Sequence, residues 1–474
     1  MLDVVVVGSG PNGLAAAITV AREDKSVLVL EAADQLGGAC RSADLTGAGA
    51  VHDVGSAIHP LAATSPFMQS VPWHDHGLRW IHPPAAVAHP LDDGRAVVAW
   101  TDLDRTVAEL GDDGPAYRRL LEPLVRHFDK VAGLLLGTPA SLLTSGLQHP
   151  LFVSKLGVLL AQPATVMARR FHGDEARALF AGHAAHSVVP LREPFTSGFG
   201  LLLGASAHAV GWPFPAGGAG EITRVMAEVL TAEGGEIRTG HRVDDLSDLP
   251  PSRSVIFALT PRQIESIAGS RFSRFGRRML RRHRYGPGAC KLDLVTDRPI
   301  PWANPAVAEA GTVHLGGTLE QVADAEATVG RGLHARRPFV LLAQHTLFDD
   351  TRAPDGLHTV WAYCHVPHGS PQDMGGVIKA QIERFAPGFT ETIVAERVSR
   401  PSDLEAMNAN LIGGDVAGGS NRGLRTVFRP RFSLHPHRTD VPSFFVGSAA
   451  AAPGGGVHGM AGFHAGTQAL EYLG

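Results

Sequence analysis

Gly8, Gly10 and Gly13 stand in the order G-S-G-P-N-G between an apolar, β-branched run, Leu2 to Val7, and the small-residue stretch LAAAITVAR. Glycines at this spacing serve a tight turn, a close backbone approach to a pyrophosphate and close packing of a helix on a strand. The helix beginning at Pro11 and Asn12 would turn free N–H groups and a partial positive charge toward the phosphates. A second apolar strand, Ser26 to Leu30, ends at Glu31, eighteen residues beyond Gly13. A carboxylate at that distance can accept from ribose hydroxyls and would repel a 2′-phosphate. One complete dinucleotide fingerprint is therefore present, set between a strand and a helix.

The continuation Glu31-Ala32-Ala-Asp-Gln-Leu-Gly37-Gly38-Ala39-Cys40-Arg41-Ser resembles that of FAD enzymes in the amine oxidase and phytoene desaturase superfamily. In that superfamily the second glycine pair lets backbone pass close to FAD, and the arginine can approach the pyrophosphate. Far along the chain, Val446-Gly447-Ser448 leads through an alanine run into Pro453-Gly454-Gly455-Gly456-Val457-His458-Gly459-Met460. Small residues there let backbone lie against a ring system. A helix starting near Val457 would set its dipole toward negative charge at the flavin N1/O2 edge.

This second segment resembles the P-G-G-G-V-x-G motif of the phytoene desaturase-like flavoproteins, notably the pyridine nucleotide-disulphide oxidoreductase domain-containing branch. Tyr285–Lys291, Gly311–Thr318, Trp361–Pro367 and Gly413–Gly419 look like further features of its bacterial members. The resemblance implies a split FAD site and places Val54, Gly55, Ser56 and His59 beside the flavin, with the backbone of Val243, in a short strand, at the adenine. One departure is the run Ala449 to Ala452, where relatives commonly carry a polar group.

The expected fold class is α/β: a Rossmann-type FAD-binding domain (1–65, 209–265 and 425–474) interleaved with an α+β substrate domain (66–208 and 266–424). After His59 the chain reads as helical, with periodic stretches at 103–136 and 151–190, and residues 285 to about 400 should build the substrate-domain sheet. The glycine cluster Gly211–Gly220 follows no β-branched strand and reads as a loop returning to the cofactor domain, not a nicotinamide site.

Since flavin itself accepts hydride, few catalytic side chains are needed. Lys291 lies where amine oxidase relatives carry a lysine that holds a water at N5; the plain alternative is an exposed strand lysine. His59 and His458 flank flavin-lining segments and would act as acid/base groups, or only pack. His74-Asp75-His76 and His183-Ala-Ala-His186 have ligand-like spacings without a third ligand, so no metal is expected. Cys40, Cys290 and Cys364 form no C-x-x-C pair, which argues against a dithiol centre.

A formal net charge of −4 gives no bulk attraction to nucleic acid. The opening MLDVVVV reads as the first strand without a leader, and apolar stretches such as Leu151 to Met167 are broken by Lys155, Gln162 and Pro163. A cytoplasmic protein is expected. Seven arginines in Arg271 to Arg284 form either a solvated helix face or a basic surface for peripheral contact with anionic lipid or an acidic carrier. The function implied is removal of a hydride from an apolar or amphipathic small molecule, by desaturation, with oxygen or a quinone as electron acceptor. An amine or amino-acid-type oxidase is the enzymatic alternative, and a non-redox flavoprotein (isomerase or assembly factor) the alternative of another class.

Overall fold

The computed structural model describes residues 1–474, the side chain of Phe152 excepted. Two sheets organise it. The first has five strands, all parallel: β1 (Leu2–Val7), β2 (Val27–Leu30), β5 (Glu236–Arg238), β6 (Ser252–Phe257) and β12 (Phe444–Val446), in the order β12-β6-β1-β2-β5. Four valines close β1 and are buried, because helices cover both faces of a parallel sheet and leave no polar side to alternate with. On one face, α1 (Pro11–Ala21) packs against α8 (Met460–Leu473), so the chain's two ends form one layer of this α/β, Rossmann-type unit.

The second sheet is mixed, in the order β11-β7-β10-β9-β8-β3-β4. Its strands are β3 (Ala85–Pro90), β4 (Ala96–Trp100), β7 (Gly288–Thr296), β8 (Ala310–Leu315), β9 (Val340–Ala343), β10 (His358–Val366) and β11 (Ile393–Ser399). β3 and β4 correct the expectation that the chain turns helical after His59 and that this sheet is built from residues 285–400 alone. Their sequences, AAVAHP and AVVAW, are apolar except for the buried His89 and almost wholly buried, so they carry neither the alternation of a half-buried strand nor helical spacing. Val243 also differs from expectation: it lies in an extended loop beyond β5, not in a strand. The last helix begins at Met460 rather than near Val457, because Gly456 and Gly459 take positive φ and hold the turn open.

A buried ionic cluster ties residues 42–53 to the turn at 349–352 and to residues 215–219. Arg352, with no exposed surface, donates to Asp53 Oδ2 (2.7 Å), Asp349 Oδ2 (3.2 Å) and the Pro215 carbonyl (3.0 Å). Asp53 also accepts from the Ala219 N–H (2.6 Å) and the Ser42 hydroxyl (2.9 Å). Burial alone would raise the Asp53 pKa, yet the Arg352 guanidinium and His345 outweigh it and hold it at about 2. The depressed value means that Asp53's share of stability is complete above about pH 4 and is lost as pH falls toward 2.

Arg352→Met strips the guanidinium from two buried carboxylates and should lower unfolding free energy by about 3–5 kcal/mol, read from denaturant unfolding at neutral pH. A loss below about 1 kcal/mol, the range of an exposed pair, would show that the cluster is solvated.

Candidate active site

A cavity of about 910 Å³ runs between the sheets. Its wall carries Lys291, His59, His458 and every cofactor-contact candidate except Gly37, Gly447 and Met460. Those three stand behind the wall. A β-carbon on Gly37 would come within 2.6 Å of the Cys40 carbonyl oxygen, one on Gly447 within 2.8 Å of Ile256, and Met460 belongs to the core between α1 and α8.

One close approach sets α1 against the end of β1, and another brings the two ends of the chain together. A β-carbon at Gly13 would stand 1.9 Å from the Gly8 carbonyl oxygen, and one at Gly462 1.7 Å from that of Asn12. The Gly462 N–H also donates to Asn12 Oδ1 (3.4 Å). The turn Ser448–His458 is thereby fixed to the same cavity as the first turn of α1. Gly10 differs: nothing lies within 4 Å of its β-position except the Gly37 carbonyl oxygen at 4.0 Å. A side chain there would enter the cavity.

Glu31 ends β2 as expected, and its carboxylate is pinned by Ser9. Oε2 accepts from the Ser9 N–H (2.9 Å) and hydroxyl (2.6 Å), while Oε1 accepts from the Ala33 N–H (3.0 Å). A carboxylate oxygen retains further acceptor capacity in this arrangement, so ribose hydroxyls can still be met. Arg41 donates to the carbonyls of Gly38 (2.9 Å) and Met407 (3.3 Å), closing the cradle against the second sheet's side.

Lys291, on β7, is 3% exposed, which removes the exposed-lysine alternative. Its ammonium is ion-paired with Asp293, two residues along the same strand face, and lies 5.8 Å from the Trp361 ring centre. Burial pushes the lysine down and the aspartate up, each toward its neutral form, while their attraction opposes both shifts. Asp293 Oδ1 has no hydrogen-bond partner. The pair can hold or pass one proton at the cavity wall.

The two histidines part company. His59 is buried, its Nε2 sits 3.2 Å from the Ser56 hydroxyl, and its Nδ1 has no partner. Burial, with an opposing contribution from Asp53, brings its pKa down to about 4, so it is neutral at pH 7. His458 uses both ring nitrogens: Nε2 donates to the Gly454 carbonyl (3.2 Å) and Nδ1 accepts from the Met460 N–H (3.0 Å). It caps α8 and has no ring nitrogen left for substrate.

Other wall residues were not anticipated. Asp415 is buried and accepts from the N–H groups of Gly286 (2.7 Å) and Ala417 (2.8 Å), with burial raising its pKa. A carboxylate set between glycine pairs in Gly413–Gly419 was the available signal. Away from the glycine turns the wall is largely apolar, with Leu136, Leu160, Phe199, Leu202, Leu203 and Trp212, and His186 beside Trp212 is its polar member (ring centres 5.5 Å apart). Helices at generic apolar spacing supply it, and no motif marks it. His183 and His186 lie in a histidine group with His89 and His314, where His186 Nε2 and His314 Nε2 are 3.0 Å apart. Among the described residues no three His, Cys, Asp or Glu are placed to hold a metal.

Comparison with known proteins shows a shared fold. Residues 6–71 match the family described as NAD(P)-binding Rossmann-like domain. An oxidoreductase from Methanosarcina mazei is similar over 99% of this chain and 100% of its own, with 16% identity and a TM-score of 0.63. Two oxidases are also similar in fold to this chain. A triple mutant of putrescine oxidase from a redesign of cofactor binding reaches 0.62 at 18% identity (99% and 98% covered). Cyclohexylamine oxidase from Brevibacterium oxydans reaches 0.56 at 17% identity (100% and 98%). No curated protein matches the sequence. Among the described residues no helix is long and apolar enough to cross a membrane.

The Lys291–Asp293 pair gives a test independent of any ligand. Lys291→Met or Asp293→Leu alone should cost about 3–5 kcal/mol by stranding a buried charge, and the double variant far less than their sum. Additive losses in denaturant unfolding would show that the two groups do not depend on each other.

Proposed function

We propose that this chain is an FAD-dependent oxidoreductase of the phytoene desaturase-like class, taking a hydride from an apolar or amphipathic small molecule. The cofactor is assigned to segments 1–65, 209–265 and 425–474, and the substrate to the rest. The observation that carries this reading is one continuous cavity with the glycine cradle and pinned Glu31 at one end and an apolar chamber at the other. The cradle fits the cofactor, since the open β-position of Gly10 leaves room that only a glycine preserves. Glu31 would meet the adenosine ribose, the first turn of α1 the pyrophosphate and the Ser448–Val457 turn the ring system.

The chemistry that FAD supplies when bound is two-electron acceptance. The protein's part is to orient substrate and exclude water. Leu136, Leu160 and Phe199 desolvate an apolar substrate, and His59 stands in the wall in its neutral form. Lys291 and Asp293 hold a proton at the wall, where a lysine of lowered pKa can relay it.

A second reading, an amine oxidase using oxygen, is favoured by one feature. Trp361 and Tyr363 both face the cavity beside Lys291, their rings 5.3 Å apart and near perpendicular. An aromatic wall of this kind suits an amine. Hydrogen peroxide and ammonia released on turnover would select this reading; flavin bleaching by an apolar substrate without ammonia selects desaturation. A flavin that no substrate bleaches anaerobically would point instead to the non-redox class.

Purified protein should be yellow and release FAD, whereas Gly10→Val should remain folded and be colourless. Full FAD occupancy in the variant would overturn the assignment. NADH and NADPH should reduce the flavin poorly, because the single fingerprint is already used. Lys291→Met should keep FAD, lower its reduction potential and slow one half-reaction, since a positive charge favouring reduced flavin is lost. No change in potential or in either half-reaction would remove Lys291 from the mechanism.

A further inference from the structure

His183-Ala-Ala-His186 closes the helix Asp174–Ala185 and has no part in the site described so far. The structure gathers both histidines with His89 on β3 and His314 on β8, with neighbouring ring centres 5.1–6.3 Å apart. Three of the four are buried. Only His186 reaches the cavity wall, where its ring stands edge-on to Trp212.

A neutral imidazole carries one N–H and one lone pair, so the contacts decide which nitrogen holds the proton. Burial keeps this pair neutral: His186 is brought down to about 3, with His365 adding to the shift, and His314 falls well below its ordinary range. Their Nε2 atoms are 3.0 Å apart, so one donates and the other accepts. His314 Nδ1 is enclosed without a partner. Were His314 the acceptor, that nitrogen would be a buried N–H with nothing to bond, and orphaned buried donors are rarer than orphaned acceptors. His89 makes the same choice: its Nε2 donates to the Gly317 carbonyl (2.7 Å), and its Nδ1 is left as a bare lone pair. Both bare nitrogens lie against Gly182, where a β-carbon would come within 2.5 Å of His314 Nδ1 and 3.0 Å of His89 Nδ1. His314 therefore donates to His186 Nε2, and His186 carries its own proton on Nδ1, the one ring nitrogen it can turn to a ligand.

We propose that His186 is a substrate-recognition residue: its Nδ1–H, placed there by His314, donates to an uncharged oxygen acceptor, a carbonyl or hydroxyl, on an otherwise apolar substrate. An ammonium offers donors only and cannot meet it. The inference rests on reading the apolar chamber as the substrate's part of the cavity, and it narrows that substrate to an oxygen-bearing molecule.

The test is calorimetric titration, under nitrogen, of the FAD-loaded protein with three probes of one carbon skeleton: ethylbenzene, acetophenone and protonated 1-phenylethylamine. His186→Phe keeps an aromatic ring beside Trp212 and removes the donor. The ratio of the ethylbenzene to the acetophenone dissociation constant should be at least about fivefold larger in wild-type protein than in His186→Phe, as one net hydrogen bond gives. His186→Gln, which keeps an N–H, should recover part of that ratio. In wild-type protein the carbonyl stretch of bound ¹³C-labelled acetophenone should lie below its value in hexane, a readout that needs no variant. Binding of both neutral probes with an unchanged ratio in His186→Phe overturns the role of His186 and leaves the chamber reading standing. A carbonyl stretch at the hexane value does the same, as does a preference of wild-type protein over the variant for the amine. Failure of wild-type protein to bind either neutral probe overturns the proposal together with the chamber reading.

Discussion

At Gly462 a β-carbon would stand 1.7 Å from the Asn12 carbonyl oxygen, closer than any non-bonded contact allows. That clearance lets α8 lie on α1, and with it the turn at 448–458 lie beside the turn at 8–13. Residues some 450 positions apart in sequence thereby share one wall. The close approach at Gly13 does the same locally, setting α1 against the end of β1. Both helix N-termini depend on these two contacts for their aim at the cavity. Gly10 completes the set for another reason, because the space beside it opens on the cavity.

Charge buried around this frame is arranged in pairs. Arg352 is shared between Asp53 and Asp349, and Lys291, at the cavity wall, is matched by Asp293 behind it. Each group alone would carry a large desolvation cost that its partner offsets, and the Lys291–Asp293 pair leaves one proton in play at the wall. Neutral His59 adds a polar atom without adding charge. The chamber beyond stays apolar, which suits a substrate whose reacting atoms are C–H rather than ionised.

Much of the site was legible because glycine spacing states a backbone requirement directly. The turn at 8–13, Glu31 and the turn at 454–457 are positions where backbone must pass close to something, and the type of residue says so. What remained hidden depends on tertiary partners. The capping role of His458 rests on the Gly454 carbonyl and the Met460 N–H, a pairing that no spacing rule encodes. Burial of Lys291 reflects β10 and β11 on either side of β7, so the sequence allowed an exposed lysine equally well. β3 and β4 escaped notice because strands buried on both faces lose the alternation that identifies a strand. Leu151 to Met167 was legible only as an apolar stretch broken by Lys155, Gln162 and Pro163; which of its side chains face outward is a property of the packing.

The account turns on the two ends of the chain forming one site with an adenosine arm and a ring pocket. Equilibrium titration of the apoprotein with FAD, FMN and NAD⁺, followed by tryptophan and flavin fluorescence, tests this most directly. FAD should bind one to one, and both FMN and NAD⁺ at least about a hundredfold more weakly, since each satisfies only one arm and a hundredfold corresponds to about 2.7 kcal/mol of lost contact. NAD⁺ binding as tightly as FAD, or FMN matching FAD, would contradict it.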